Sequence, residues 1–143
     1  MTQCFDHEKL RVYQEAIRFV NWTGDILAML PKGSAAHSQL DRASISIPLN
    51  IAEGNGKFTA ADRCRFFDTA RGSALECAAC LDVLVARKQI PASDAEQGRR
   101  ILLQIVSMLV GLIQATSTNR VYDPTTEYEA KGEQGQKGDY DYE

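Results

Sequence analysis

The sequence predicts an all-α fold: an antiparallel up-down-up-down four-helix bundle followed by a disordered acidic C-terminal tail. Three observations predict it. Four stretches repeat apolar residues at helical three-and-four spacing. The breaks between them, Pro31-Lys32-Gly33, Gly54-Asn55-Gly56 and Ile90-Pro91-Ala92, are only a few residues long, so successive helices must double back on each other. Beyond Asn119 the chain has no Leu, Ile, Phe or Met. That places a bundle at 1–118 and a flexible, tyrosine-containing tail at 119–143.

The first helix is expected from Glu8 to Leu30, stopped by Pro31 and Gly33. Val12, Ala16, Phe19, Thr23, Ile26, Leu27 and Leu30 form its core stripe, with Trp22 at the edge. Tyr13, Ile17 and Val20 give it a second apolar edge that a lone bundle rarely needs. The second helix takes Ser34 or Ser38 as its cap and ends at Gly54-Asn55-Gly56, where left-handed geometry is expected. Leu40, Ala43, Ser44, Ile47, Asn50, Ile51 and Gly54 form one stripe and Arg42, Ser46, Leu49 and Glu53 a second, so this helix has two surfaces to satisfy. Pro48 cannot donate to the carbonyl of Ser44, so a bend is expected there.

The third helix opens on the capping pattern Thr59-Ala-Ala-Asp62 and presents Phe66, Ala70, Ser73, Ala74, Cys77, Leu81 and Leu84. Gly72 in its interior costs roughly 1 kcal/mol against alanine, which predicts a close helix crossing at that position. Ser93-Asp-Ala-Glu96 is the capping box expected to start the fourth helix, which runs to about Thr116. Ile101, Leu102, Ile105, Met108, Leu109 and Leu112 form its core face. Leu103, Val106, Val110 and Ile113 lie well round from that face, so this helix has a second side to bury, most economically against another copy of the chain. Those four, with Tyr13 and Ile17, are the expected interface of a homo-oligomer.

The chain is long enough for one domain with a core: 143 residues, 44% hydrophobic. Its net charge of −3 is the sum of +1 over residues 1–119 and −4 over residues 120–143. Neither part is the strongly basic footprint usual among nucleic-acid binders, whose affinity comes largely from phosphate neutralisation. The remaining basic clusters, Arg63 and Arg65, Arg87 and Lys88, Arg99 and Arg100, are the candidate RNA contacts, and multiplication in a ring of subunits would strengthen them.

Cysteines at 4, 64, 77 and 80 follow no secreted disulfide framework, and the start of the chain lacks a basic region leading into a long apolar run, so a cytoplasmic protein is expected. No 18 consecutive residues are apolar, so no membrane span is expected. Cys77 and Cys80 spell CxxC in mid-helix, away from the helix N-terminus that lowers thiol pKa in redox pairs, and are read as small buried hydrophobes. His7 and His37 show no ligand spacing; no metal and no cofactor is expected.

At Gln39 to Gly54 the chain reads QL-x-RAS-x-SIP-x-NIAEG, preceded by VYQEA at Val12 to Ala16 and LP at Leu30 and Pro31, and followed by ARGSALE at Ala70 to Glu76. These residues resemble the 23S ribosomal RNA intervening-sequence proteins, a resemblance covering roughly Leu10 to Ala115. It implies an antiparallel four-helix bundle in a ring-like homo-oligomer such as a pentamer, with no established enzymatic activity. The family takes its name from members encoded inside inserts of ribosomal RNA genes, which suggests an association with RNA.

No phosphate loop, HExxH or nucleophile elbow is present, and no catalytic residue is assigned. The motif's polar cluster is Arg42, Ser44, Asn50 and Glu53 on the second helix with Arg71, Ser73 and Glu76 on the third. Arg42 and Glu53 are about 16 Å apart along a helix, so each needs a partner elsewhere. The expected role is interhelical bonding that fixes register. Three functions remain open: a non-enzymatic homo-oligomeric scaffold, an RNA-binding module, or a small-molecule enzyme with Glu53 or Glu76 as general base.

Overall fold

The computed structural model describes residues 3–120 and contains, among them, four α-helices and no strand. A 3-10 turn at Asp6–Lys9 precedes α1 (Arg11–Met29), α2 (Ala35–Asn55), α3 (Ala60–Ala86) and α4 (Ala92–Arg120). The acidic segment expected to be disordered lies outside the described residues.

Each helix packs on its two neighbours in a closed square, α1 on α2 and α4, and α3 on α2 and α4, and among the described residues the diagonal pairs do not meet. The direction of each pairing follows from its closest approaches. Gly54 near the end of α2 meets Phe67 near the start of α3, Cys64 at the start of α3 meets Ser117 near the end of α4, and Trp22 late in α1 covers Gly98 early in α4. All three pairs are antiparallel, which makes the bundle up-down-up-down.

Local signals account for most of the helix ends. Ser34 caps α2, its hydroxyl accepting from the His37 amide at 3.2 Å, and Thr59 caps α3 by accepting from Asp62 N–H at 3.2 Å. Each hydroxyl satisfies one of the orphan amides of a first turn. The chain reverses after α1 at Gly33, whose φ of +89° is the left-handed conformation glycine adopts at low cost.

Three expectations are corrected. The first helix does not run unbroken from Glu8: Leu10 is extended (ψ 125°), separating the 3-10 turn from α1. α4 begins at Ala92, one residue before Ser93, because the Pro91 carbonyl accepts from both Asp94 and Ala95 and closes the first turn without the Ser93 side chain. The Gly54-Asn55-Gly56 stop is not left-handed; Gly54 is inside α2 and Gly56 is right-handed at φ −83°. Left-handed backbone instead appears at Lys88 (φ 59°), where Gln89 N–H bonds Leu84 O at 2.9 Å and Lys88 N–H bonds Val85 O at 3.0 Å, the paired closure of a Schellman turn.

The core is aliphatic with two fully buried rings, Phe19 and Phe67. On α3 the buried positions Phe67, Ala70, Ala74, Cys77, Leu81 and Leu84 alternate three-and-four spacing without a slip. Phe67, not Phe66, begins that stripe; Phe66 is half-buried beneath Lys57 and Arg65, whose cationic groups sit 5.1 and 5.2 Å from its ring centre. Pro48 is buried inside a helix that continues through it. By length and composition α4 could cross a membrane over Ala92–Ser117; Ile101, Leu102, Ile105 and Leu109 bury one face of it in the bundle, and 28% of its most apolar window is buried.

Candidate functional site

The polar cluster of the family motif lies on α2 and α3, the two helices with the most extensive mutual packing. That packing depends on small residues. A Cβ at Gly54 would come within 2.8 Å of Phe67 Cε1 and 3.0 Å of Phe66 Cβ, so the missing side chain lets the start of α3 close onto the end of α2. Gly72, expected at the close crossing, faces outward with nothing within 4 Å. Helical phase decides the difference: Ala70, Ser73 and Ala74 turn inward and carry Gly72 to the opposite side.

Three polar side chains meet between these helices. Ser46 Oγ and Ser73 Oγ share a hydrogen bond of 2.8 Å, while Asn50 Nδ2 donates to the Ser46 carbonyl at 2.8 Å and to Ser46 Oγ at 2.9 Å. Ser46, on the second stripe of α2, is four residues from Asn50, which makes the two side chains neighbours on the helix surface. Of the other cluster residues, Ser44 is buried but donates to Asp41 O on its own helix, and Arg42 is exposed and bonds Gln39 Oε1 at 3.2 Å. Arg71 grips Asp68 Oδ1 through Nε at 3.1 Å and Nη2 at 2.9 Å. Within the set, Ser73 bonds across the seam to Ser46 of α2, while Asn50 braces Ser46 from its own helix.

Glu53 and Glu76 are both exposed. A general base near neutral pH needs burial or a close like charge to raise its pKa. Two surface hollows, one of about 430 Å³ lined by Arg18, Gln97, Arg100, Ile101 and Gln104 and one of about 310 Å³ beside Leu10, Met108 and Leu112, contain neither carboxylate. Burial, then the neighbouring Cys80 and Glu76, pushes the Cys77 thiol up to about 12; Cys80 is raised by burial and Glu76. Both thiols are poor nucleophiles and poor metal ligands in that state. All four cysteines are free, and no cluster of three ligating side chains occurs among the described residues.

The candidate basic residues divide by partner. Arg65 pairs with Asp62 at 3.6 Å, Arg100 with Glu96 at 3.3 Å, and Arg99 with Asp82 across α3 and α4 at 2.6 Å. Arg87 and Lys88 are exposed at the turn between those helices. Arg63 is half-buried; its Nη2 reaches Asn55 Oδ1 at 3.5 Å, and its Nε is buried with no hydrogen-bond partner among the described residues.

The candidate interface residues also divide. Leu103 is 69% exposed and Ile17 44%, whereas Val106, Ile113 and Tyr13 pack against the core and Val110 is half-buried. Tyr13 is covered by the His7 ring, edge-on at 4.7 Å. The bundle also exposes aliphatic side chains outside the expected interface: Ile45 and Leu49 on α2, Leu49 being part of that helix's second stripe, and Leu75 and Val83 on α3. Leu49 is the most exposed of these, at 61%. The Ser46–Ser73 bond and the Gly54–Phe67 approach set the antiparallel register, which brings Ile45 and Leu49 level with the stretch of α3 holding Gly72 and Leu75.

The family model described as 23S rRNA-intervening sequence protein matches residues 8–111. The chain belongs to that family. Among solved structures, it resembles the crystal structure of a protein with unknown function from the S23 ribosomal protein family of Bacteroides thetaiotaomicron. The two share 22% identity and a TM-score of 0.68 over 71% of this chain and 97% of the other, a likeness of fold. No curated protein matches the chain. The intervening-sequence motif therefore maps onto the α2–α3 seam: NIAEG supplies the close approach at Gly54, and ARGSALE supplies Ser73 and the flanking small residues.

Proposed function

We propose that this intervening-sequence protein is a non-enzymatic, cytoplasmic, self-associating scaffold whose bundles assemble into a ring-like homo-oligomer, a pentamer by family resemblance. The observation that carries this reading is the set of exposed aliphatic residues on α2 and α3: Ile45, Leu49, Leu75 and Val83. Four such side chains at one helix pair are an association surface, since apolar area left in water favours any contact that removes it. Leu103 and Ile17 extend the apolar outside of the bundle onto α4 and α1. The open space over Gly72 would let a neighbouring helix approach between Leu49 and Leu75.

The interface is tested by charge insertion. Leu49→Glu with Leu75→Glu puts two carboxylates into the contact while leaving the buried stripe of both helices unchanged, so the variant is expected to lose assembly and keep its helical circular dichroism. Leu103→Glu with Ile17→Glu is the parallel test of the α1–α4 side. Retention of the wild-type mass by both pairs would refute assembly through these faces. Val106 is unsuited to the test because it packs on the core, where a carboxylate would unfold the bundle as well.

RNA association is the second reading, supported by the exposed Arg87 and Lys88, which make no ion pair among the described residues, and by the family's description. It predicts filter-retained RNA with the native assembly that is lost on Arg87→Glu with Lys88→Glu.

A further inference from the structure

One end of the bundle gathers cations around an incompletely satisfied arginine. Arg63 begins α3 with a buried Nε that bonds nothing among the described residues, and its longest reach is to a neutral amide oxygen, Asn55 Oδ1 at 3.5 Å. The other face of Asn55 is already taken by Asp6 Oδ2 at 2.9 Å, so the nearest carboxylate on the 3-10 turn serves the amide and not the guanidinium. Beside Arg63, Lys57 and Arg65 flank the Phe66 ring, and Phe58 stands wholly exposed at the tip of the α2–α3 turn. Asp62 pairs with Arg65, but that pair is open to water and worth little.

α4 ends at the same place. Cys64, between Arg63 and Arg65, lies with its Sγ 3.5 Å from Ser117 Oγ and 3.8 Å from Ile113 O. The chain beyond Arg120 therefore starts next to this basic, aromatic end. That stretch is 143 − 120 = 23 residues long and carries seven acids against two lysines, with Tyr122 and Tyr128 beside Asp123, Glu127 and Glu129. At about 3.3 Å per extended residue it is many times longer than the distance it has to cover.

We propose that residues 121–143 dock in cis onto this end of their own bundle. Carboxylates of the segment meet Lys57, Arg63 and Arg65, and a tyrosine ring lies on Phe58. The reasons are charge complementarity and the point at which α4 ends. In this arrangement the segment covers two of the basic residues, Arg63 and Arg65, that would otherwise offer themselves to an anionic polymer.

The test uses the full chain, isotopically labelled, observed by amide NMR at about 20 mM and about 500 mM salt, where screening lengths differ severalfold. Raising salt is expected to shift the amides of Lys57 to Phe66 together with those of residues 121–143. Neutralising the segment by Asp123→Asn, Glu127→Gln and Glu129→Gln is expected to abolish the salt-dependent shifts at Lys57 to Phe66. Wild-type spectra without those shifts would overturn the proposal. Shifts that return when the labelled neutralised chain is mixed with unlabelled wild type would overturn docking in cis, because the acids then come from another copy. A single-stranded oligouridylate that perturbs the same amides equally in wild type and neutralised chain would also overturn it, since the face would be an open RNA site.

Discussion

Ser46 on α2 and Ser73 on α3 share a 2.8 Å hydrogen bond across the most closely packed seam of the bundle. Ser73 is buried, and Asn50 feeds a second bond into Ser46 Oγ at 2.9 Å, so losing one hydroxyl strands the other with reduced pairing. Ser46→Ala and Ser73→Ala are each expected to cost about 1 kcal/mol, and the double variant less than their sum. Urea titration of the four members of this cycle checks it; strictly additive losses would mean the two hydroxyls do not support each other.

Gly54 and Gly72 are both helical glycines, and they respond to alanine with opposite sign. Helix propensity favours alanine by roughly 1 kcal/mol at either position. At Gly54 the new methyl meets Phe67 Cε1 at 2.8 Å and Phe66 Cβ at 3.0 Å, so overpacking outweighs the gain and Gly54→Ala is expected to destabilise by about 1–3 kcal/mol. Gly72→Ala meets nothing within 4 Å and is expected to stabilise the bundle by several tenths of a kcal/mol. Thermal melts of the two variants decide it.

Lys88 closes the α3 turn in the left-handed region at φ 59°, where a side chain costs about 1 kcal/mol that glycine avoids. Lys88→Gly is expected to preserve or raise the melting temperature while removing one of the two charges on which the RNA reading depends. A melting temperature several degrees lower would contradict the Schellman geometry of this turn.

Cys77 gives the bundle an alkaline limit. Unfolded, its thiol ionises near its ordinary value of 9.0; folded, it is held up to about 12 by burial first, then by Cys80 and Glu76. The folded state keeps a proton that the unfolded chain releases, so this contribution is intact below pH 9 and is lost as pH rises from there toward 12, at roughly 1 kcal/mol per pH unit. Cys77→Ala should have a shallower decline over that window, whatever its lower starting stability. In the wild type, Ellman's reagent is expected to label exposed Cys4 rapidly and Cys77 only on unfolding.

The fold was legible because its signals are local. Ser34 and Thr59 cap where short-range chemistry places them, and Val12, Ala16, Phe19, Thr23 and Ile26 follow from periodicity alone. What escaped depends on how one helix is rotated against another. Phe66 and Phe67 are adjacent, and only the unbroken spacing down to Leu84 selects Phe67. GNG reads as a turn until Phe67 is found against Gly54, and Gly72 reads as a crossing until the phase of α3 turns it outward. The polar cluster was legible as residues that matter to the α2–α3 seam, but not as a network, because Arg42, Ser44 and Arg71 each found a partner within one helical turn. Leu49 was legible as part of a second stripe on α2, whereas the outward position of Leu75 emerges only from the packed bundle, because α3 is mixed in composition.

Self-association is the central claim, and the mass of the wild-type chain tests it most directly. Multi-angle light scattering on the full chain at micromolar concentration is predicted to give an integral multiple of 15.8 kDa, five copies for the pentamer. A single species at 15.8 kDa across that concentration range would contradict the account and leave Ile45, Leu49, Leu75 and Val83 as a surface for a different protein.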